Sequence, residues 1–247
     1  MNIEITPDPP PATPLPNAVA IDFQPLGKPP TFINVIETLL KQPGRVLHEC
    51  KEGNRKVPVM LLIGAVLCLA VFGGLLGTFS GGMQYWAAPV KIVVGMLVSL
   101  LICLPSLYIF SALGGLDARL SQVAGLLLAA IALTALLLLG FAPVVWIFSQ
   151  STESVAFMGF LVFAFWIISL FFGFRLLLQA SHKLGMIASQ YLLVWTGIFF
   201  LVTLQMSTSL RPLIGTADTL LPTKKEFFLE HWFDELGNGV EARRTAR

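Results

Sequence analysis

Few residues in this sequence could do chemistry, and they are poorly spaced for it. The three cysteines, Cys50, Cys68 and Cys103, are odd in number and form no CxxC pair, and two of them fall inside long apolar runs. They read as small apolar fillers rather than a disulfide or zinc set. His231 has no partner at metal-ligand spacing. The chain has no HExxH, GxSxG, P-loop or dinucleotide fingerprint, and Gly81-Gly82 lacks the context of a phosphate cradle. The expectation is a non-enzymatic protein with no cofactor and no metal. No basic patch with interleaved aromatics supports nucleic acid as a partner.

The same scarcity holds inside the apolar runs. Charge in hydrocarbon is costly and by default marks an ion path or proton relay. Only Lys91, expected to snorkel to the outer surface, and Arg175, near an inner end, are charged there. Neutral polar groups are scattered: Ser99, Ser106, Ser111, Thr134, Ser169, Ser189, Gln190, Thr196, Gln205 and Ser207. Such groups bond their own backbone or a neighbouring helix. Gly73 and Gly77 form a GxxxG motif, with Gly64 and Gly74 nearby, that should pack helices within the bundle or, less readily, between copies. Pro105 in "LICLPSLYIF" and Pro143 should kink their helices.

The elements that carry these residues follow from composition. The chain is 55% apolar and 12% charged, against about 25% charged in a soluble domain. A helix needs about 20 apolar residues to cross hydrocarbon. Five runs qualify, at 57–79, 89–113, 122–148, 155–178 and 186–206. Residues 1–30 hold nine of the sixteen prolines and no signal-peptide pattern. They read as a disordered tail containing a formal PxxP at Pro11–Pro14, and the first crossing would serve as the targeting signal. Residues 31–56 read as interfacial helices. Phe32, Val35, Ile36, Leu39 and Leu40 share one face, Thr31 could cap the start, and Pro43-Gly44 breaks the segment. That face could equally pack on the spans.

Residues 57–206 form the five-span domain. Residues 207–247 form a tail with a short amphipathic helix, in which Phe228, Leu229, Trp232, Phe233 and Leu236 share a face. Basic residues gather before the first span (Lys41, Arg45, Lys51, Arg55, Lys56) and after the second and fourth (Arg119, Lys183). The positive-inside rule then puts the N-terminus in the cytoplasm and, with five spans, the C-terminus outside. Tyr85 and Trp86 would sit in the outer aromatic belt.

The stretch "TFINVIETLLKQPGRVLHECKEGNRKVPVMLLIGAVL" and the span exit "LPSLYIFSALGG" resemble the bacterial members of the Yip family. These are five-span membrane proteins named for interacting with Rab/Ypt GTPases. The acidic Tyr-Gly-Pro motif of the eukaryotic members is absent, so the resemblance does not carry Rab binding to this chain. "LQMSTSLRPLIG" resembles a segment that follows the last span in some bacterial membrane proteins, and there Arg211 would anchor to headgroups. The expectation is an all-α integral membrane protein of the bacterial inner membrane, a bundle of five transmembrane helices preceded by an interfacial amphipathic helix. Phe32, Ile36, Leu39, Arg55, Lys56 and Arg211 are its expected interfacial anchors. It would scaffold or regulate other membrane proteins, act as a homo-oligomer, or organise the bilayer. The alternatives are a transporter or channel component, or an accessory subunit of a larger complex.

Overall fold

The structure, a computed structural model, describes residues 23–27, 29–80, 84–152 and 154–209. Seven helices make up the fold of the described residues: α1 (Phe32–Lys41), α2 (Pro43–Lys51), α3 (Lys56–Ser80), α4 (Gln84–Leu113), α5 (Leu120–Ser151), α6 (Val155–Lys183) and α7 (Gln190–Ser209). Of these, α3 to α6 are each long and apolar enough to cross a membrane, and the apolar stretch of α7 among the described residues, Gln190–Gln205, is shorter. The regular structure of the described residues is therefore all helical, and the protein is of the integral membrane type. Apolar side chains such as Val59, Ile63, Leu67 and Val71 on α3, or Phe171 and Phe172 on α6, stand exposed along these helices, more apolar surface than a water-soluble protein leaves uncovered.

The helices begin and end where local chemistry dictates. Gln42, at φ −142° and ψ 66°, separates α1 from α2. Pro43 then takes the first position of α2, where its missing N–H has no helical partner to lose. Thr31 occupies the N-cap of α1 in extended conformation, but its side chain makes no capping bond. Two of the long helices that reach the α1/α2 end stop in the same way. Gly115 and Gly185 adopt φ +86° and +101°, and the next N–H, of Leu116 or Met186, returns to the carbonyl of Ser111 or Ser181 at 3.0 Å. This left-handed turn needs glycine. At the other end, Ser154 Oγ caps α6 by accepting from the Phe157 N–H at 3.3 Å.

Short connections make α3 to α7 alternate in direction. The pair α3 and α5 packs lengthwise; α4 lies on α3, α6 on α5 and α7 on α4. α5 is the most enclosed helix, with thirteen buried residues from Val123 to Val145. α7 meets α6 through rings: Phe174 lies edge-on to Trp195 and Phe199, with centroids 6.0 and 5.3 Å away.

Four sequence expectations need correction. The second span starts at Gln84, five residues before the expected 89, so Lys91 lies two turns inside α4, about 10 Å from its start. The third and fourth spans run on to Ser151 and Lys183. Residues 186–189, expected to open the fifth span, form a loop instead. The N–H groups of Ile187 and Ala188 both donate to Gly114 O, at 3.0 and 3.1 Å, and Ile187 is 88% exposed. Residues 23–27, placed by composition in the disordered tail, lie over α2: the Phe23 ring sits 5.8 Å from that of His48, and Leu26 N–H donates to Glu49 Oε1 at 3.3 Å. Apolar composition marks a crossing, but capping and long-range bonds set its ends.

Candidate functional site

The residues most unlike a plain bundle collect at one end. There α1 and α2 lie across the start of α3, the start of α5 and the end of α6. Two small residues let them sit close. A Cβ built on Gly64 would lie 2.8 Å from Ile36 Cδ1, and one on Gly125 would lie 3.0 Å from Cys50 Cβ. Gln122 Nε2 donates to Lys51 O at 2.6 Å, fastening α5 to the end of α2. Asn54 bridges the α2–α3 turn, donating to Glu49 Oε2 at 3.0 Å and accepting from Lys56 N–H at 3.2 Å. His48 lies beneath Phe23 with its Nδ1 buried and without a hydrogen-bond partner among the described residues.

The helix α1 divides its surface three ways. Val35 and Leu39 are buried against the bundle. Ile33 and Leu40, 74% and 54% exposed, project sideways with the edge of Phe32. Glu37 and Lys41 are paired at 2.7 Å on the remaining, polar side. This corrects the anchor assignment. Leu39 is 1% exposed and touches protein, Ile36 points at Gly64, and the outward apolar residues are Ile33 and Leu40. Helical periodicity identifies an apolar arc but not which edge of it a neighbouring helix will cover. Arg55 and Lys56 are exposed at the start of α3. Arg211, the C-terminal amphipathic segment with His231, Gly81-Gly82 and the PxxP lie outside the described residues.

Charge is polarised along the bundle. Lys41, Arg45, Lys51, Arg55, Lys56, Arg119 and Lys183 all lie at the α1/α2 end, with Glu37, Glu49, Glu52 and Asp117. Near the other end the described residues carry Lys91, which is 5% exposed. In α2, burial and, after it, neighbouring Glu49 push the Cys50 thiol up to about 12. It is neutral at physiological pH and serves as packing against Gly125.

Inside the bundle the polar groups mostly serve helix contacts. Gly73 meets Pro89 backbone, its added Cβ falling 2.7 Å from Pro89 Cα; Gly77 is buried on the same helix. Chain α4 stays helical through Pro105 and α5 through Pro143. One turn that includes Pro105 holds α7: Trp195 Nε1 donates to Ser106 Oγ at 3.0 Å and Cys103 O at 3.2 Å. Sequence reasoning missed Trp195. Its signal was a tryptophan amid an apolar run, whose N–H must find an acceptor. Between α5 and α6, Thr134 Oγ1 donates to Ala130 O at 3.0 Å and lies beside Gly173. Ser169 Oγ, in the same contact, is buried with no hydrogen-bond partner among the described residues. Ser99, Thr196 and Thr203 each donate to the carbonyl four residues back. No group of three or more metal-ligating side chains occurs among the described residues.

Compared with known protein families, with curated proteins and with solved structures, the chain matches none.

Proposed function

We propose that this chain is a five-span protein of the bacterial inner membrane, with its N-terminus in the cytoplasm and C-terminus outside, and that it is a non-enzymatic platform for other membrane proteins. The observation that carries the reading is the three-way surface of α1: one edge on the bundle, one apolar edge outward, one charged edge facing away from both. A helix so divided fits the line where bundle, lipid and water meet. Lysines and arginines at the same end favour that end as cytoplasmic. The fifth crossing is supported by α7, whose 20 residues extend about 30 Å, the thickness of the hydrocarbon. The layout of short helices before the bundle agrees with the Yip resemblance.

The test is crosslinking in membranes, followed by purification in mild detergent, with a photoreactive residue at Lys51 or Glu52 at the exposed end of α2. The platform reading expects a defined protein adduct from these positions, a second copy included, and none from Val71 on the lipid-facing side of α3. Adducts with lipid alone from all three positions would contradict it. A transporter is the second reading, favoured by the unpartnered Ser169 hydroxyl near the middle of α6. It requires gradient-dependent solute uptake that is lost in Ser169→Leu.

A further inference from the structure

We infer that the outward face of α6 holds an anionic phospholipid, with Arg175 binding its phosphate. The inference rests on the membrane placement of α6. The helix has two clean sides. Ser169, Leu170, Phe174, Leu176, Leu177 and Ala180 are buried, whereas Ile168, Phe171 and Phe172 are exposed. Arg175 lies in the centre of that exposed side, four residues beyond Phe171 and seven beyond Ile168. Among the described residues no carboxylate pairs with it. An arginine in the middle of a lipid-facing stripe is costly unless its charge meets a counter-charge at the membrane surface.

Depth identifies the counter-charge. With 29 residues, α6 is about 43 Å long, about 13 Å more than the hydrocarbon. The helix is apolar from its first turn at Val155, whereas Gln179, Ser181, His182 and Lys183 close it, so the excess falls at the Lys183 end; Arg175, eight residues and about 12 Å before that end, comes to the hydrocarbon boundary of the leaflet on the α1/α2 side. Its Cα–Cβ bond tilts toward the helix N-terminus and hence the membrane interior. The guanidinium must therefore fold back to reach the surface, or draw a phosphate down to itself. Gln179, one turn on, and His182, two turns on, continue the same face toward the water and add further hydrogen-bonding groups. Acyl chains would lie on Ile168, Phe171 and Phe172, with the phosphate on Arg175. That order, apolar tails then a single anion, is the chemistry of a phospholipid. A guanidinium matches phosphate oxygens through two parallel hydrogen bonds, and the absence of a carboxylate on this face among the described residues favours a headgroup of net negative charge over a zwitterion.

The test uses the full chain in mild detergent, exchanged with equimolar phosphatidylglycerol and phosphatidylcholine of matched acyl chains, with retained lipid measured by native mass spectrometry. The wild type should retain phosphatidylglycerol preferentially. Arg175→Leu should lower that retention roughly tenfold, the loss of one charge-assisted contact; Arg175→Lys should restore part of it. Arg119→Leu, a lost cation elsewhere at the same end, should leave it unchanged. Equal retention of the two lipids by the wild type overturns the inference without reference to any variant. So does Arg175→Leu that alters the oligomeric state while lipid retention stays the same, which would assign the face to a protein partner. A nitroxide at Phe171 separates the two levels of failure. Contact with water there refutes the membrane placement of α6 itself, whereas burial in lipid with no headgroup preference refutes only the phosphate site.

Discussion

Replacing Gly73 by alanine should force α3 and α4 apart, and the same change at the next residue should not. A Cβ on Gly73 would lie 2.7 Å from Pro89 Cα and 3.0 Å from Pro89 N, where ordinary contact begins at 3.4 Å. The shortfall at the nearest atom is 0.7 Å (3.4 less 2.7). It is a shortfall against backbone, which cannot rotate away as a side-chain tip can. Overpacking of this kind costs about 1–3 kcal/mol. At Gly74 the added Cβ meets only Pro89 Cγ, at 4.0 Å. Both changes gain the same helix preference of alanine over glycine, up to about 1 kcal/mol. The two variants should therefore differ by the overpacking cost alone, with Gly73→Ala the less stable. Thermal unfolding in mild detergent, followed by reaction of the buried Cys68 and Cys103 thiols with a fluorogenic reagent, reads that difference. If Gly73→Ala unfolds at or above the temperature of Gly74→Ala, the α3–α4 contact is not as close as described.

Further outcomes follow from the same geometry. Trp195→Phe keeps the ring packing on Phe174 but removes the N–H that reaches Ser106 and Cys103; it should cost about 1 kcal/mol, and combining it with Ser106→Ala should cost less than the sum, read by the same unfolding assay. With Cys68 and Cys103 replaced by alanine, Cys50 should resist a maleimide in the folded protein and react on unfolding, because its thiol is neutral and packed on Gly125. Its folded pKa is raised, so its contribution to stability is intact below 9.0, the ordinary value of the thiol, and is lost as pH rises from there toward about 12, because the unfolded chain ionises across that window while the folded thiol stays neutral; a melting temperature lower at alkaline than at neutral pH in wild type, with a smaller fall in Cys50→Ala, checks it. For orientation, an impermeant thiol reagent added outside cells should label a single cysteine at Gly82 and not one at Lys183.

The crossings of α3 to α6 were legible because each is an apolar run longer than any soluble strand or loop requires, and the glycine turn after "IFSAL" was legible as a helix exit. Their ends were not. Gln84 starts α4 from a segment that is not apolar enough to read as a span, and the loop at 186–189 is fixed by bonds from Ile187 and Ala188 to Gly114, far away in the chain. The apolar arc of α1 was legible, while its division into a buried and an outward edge depended on where Gly64 opens space for Ile36. Nor could periodicity reveal that Gly73 would meet Pro89, or that Trp195 would find its acceptors in the turn that includes Pro105. Arg175 was visible as a charge near a span end, but its place on an outward stripe required knowing which side of α6 faces α5.

The platform reading depends most directly on where the free edges of α1 lie. Nitroxide labels at Ile33, Leu40 and Glu37, one at a time in lipid bilayers, report that through collision with oxygen, which concentrates in lipid, or with a water-soluble nickel chelate. The account predicts oxygen-dominated collisions at Ile33 and Leu40 and nickel-dominated collisions at Glu37. Nickel-dominated collisions at all three positions would place α1 wholly in water and contradict it.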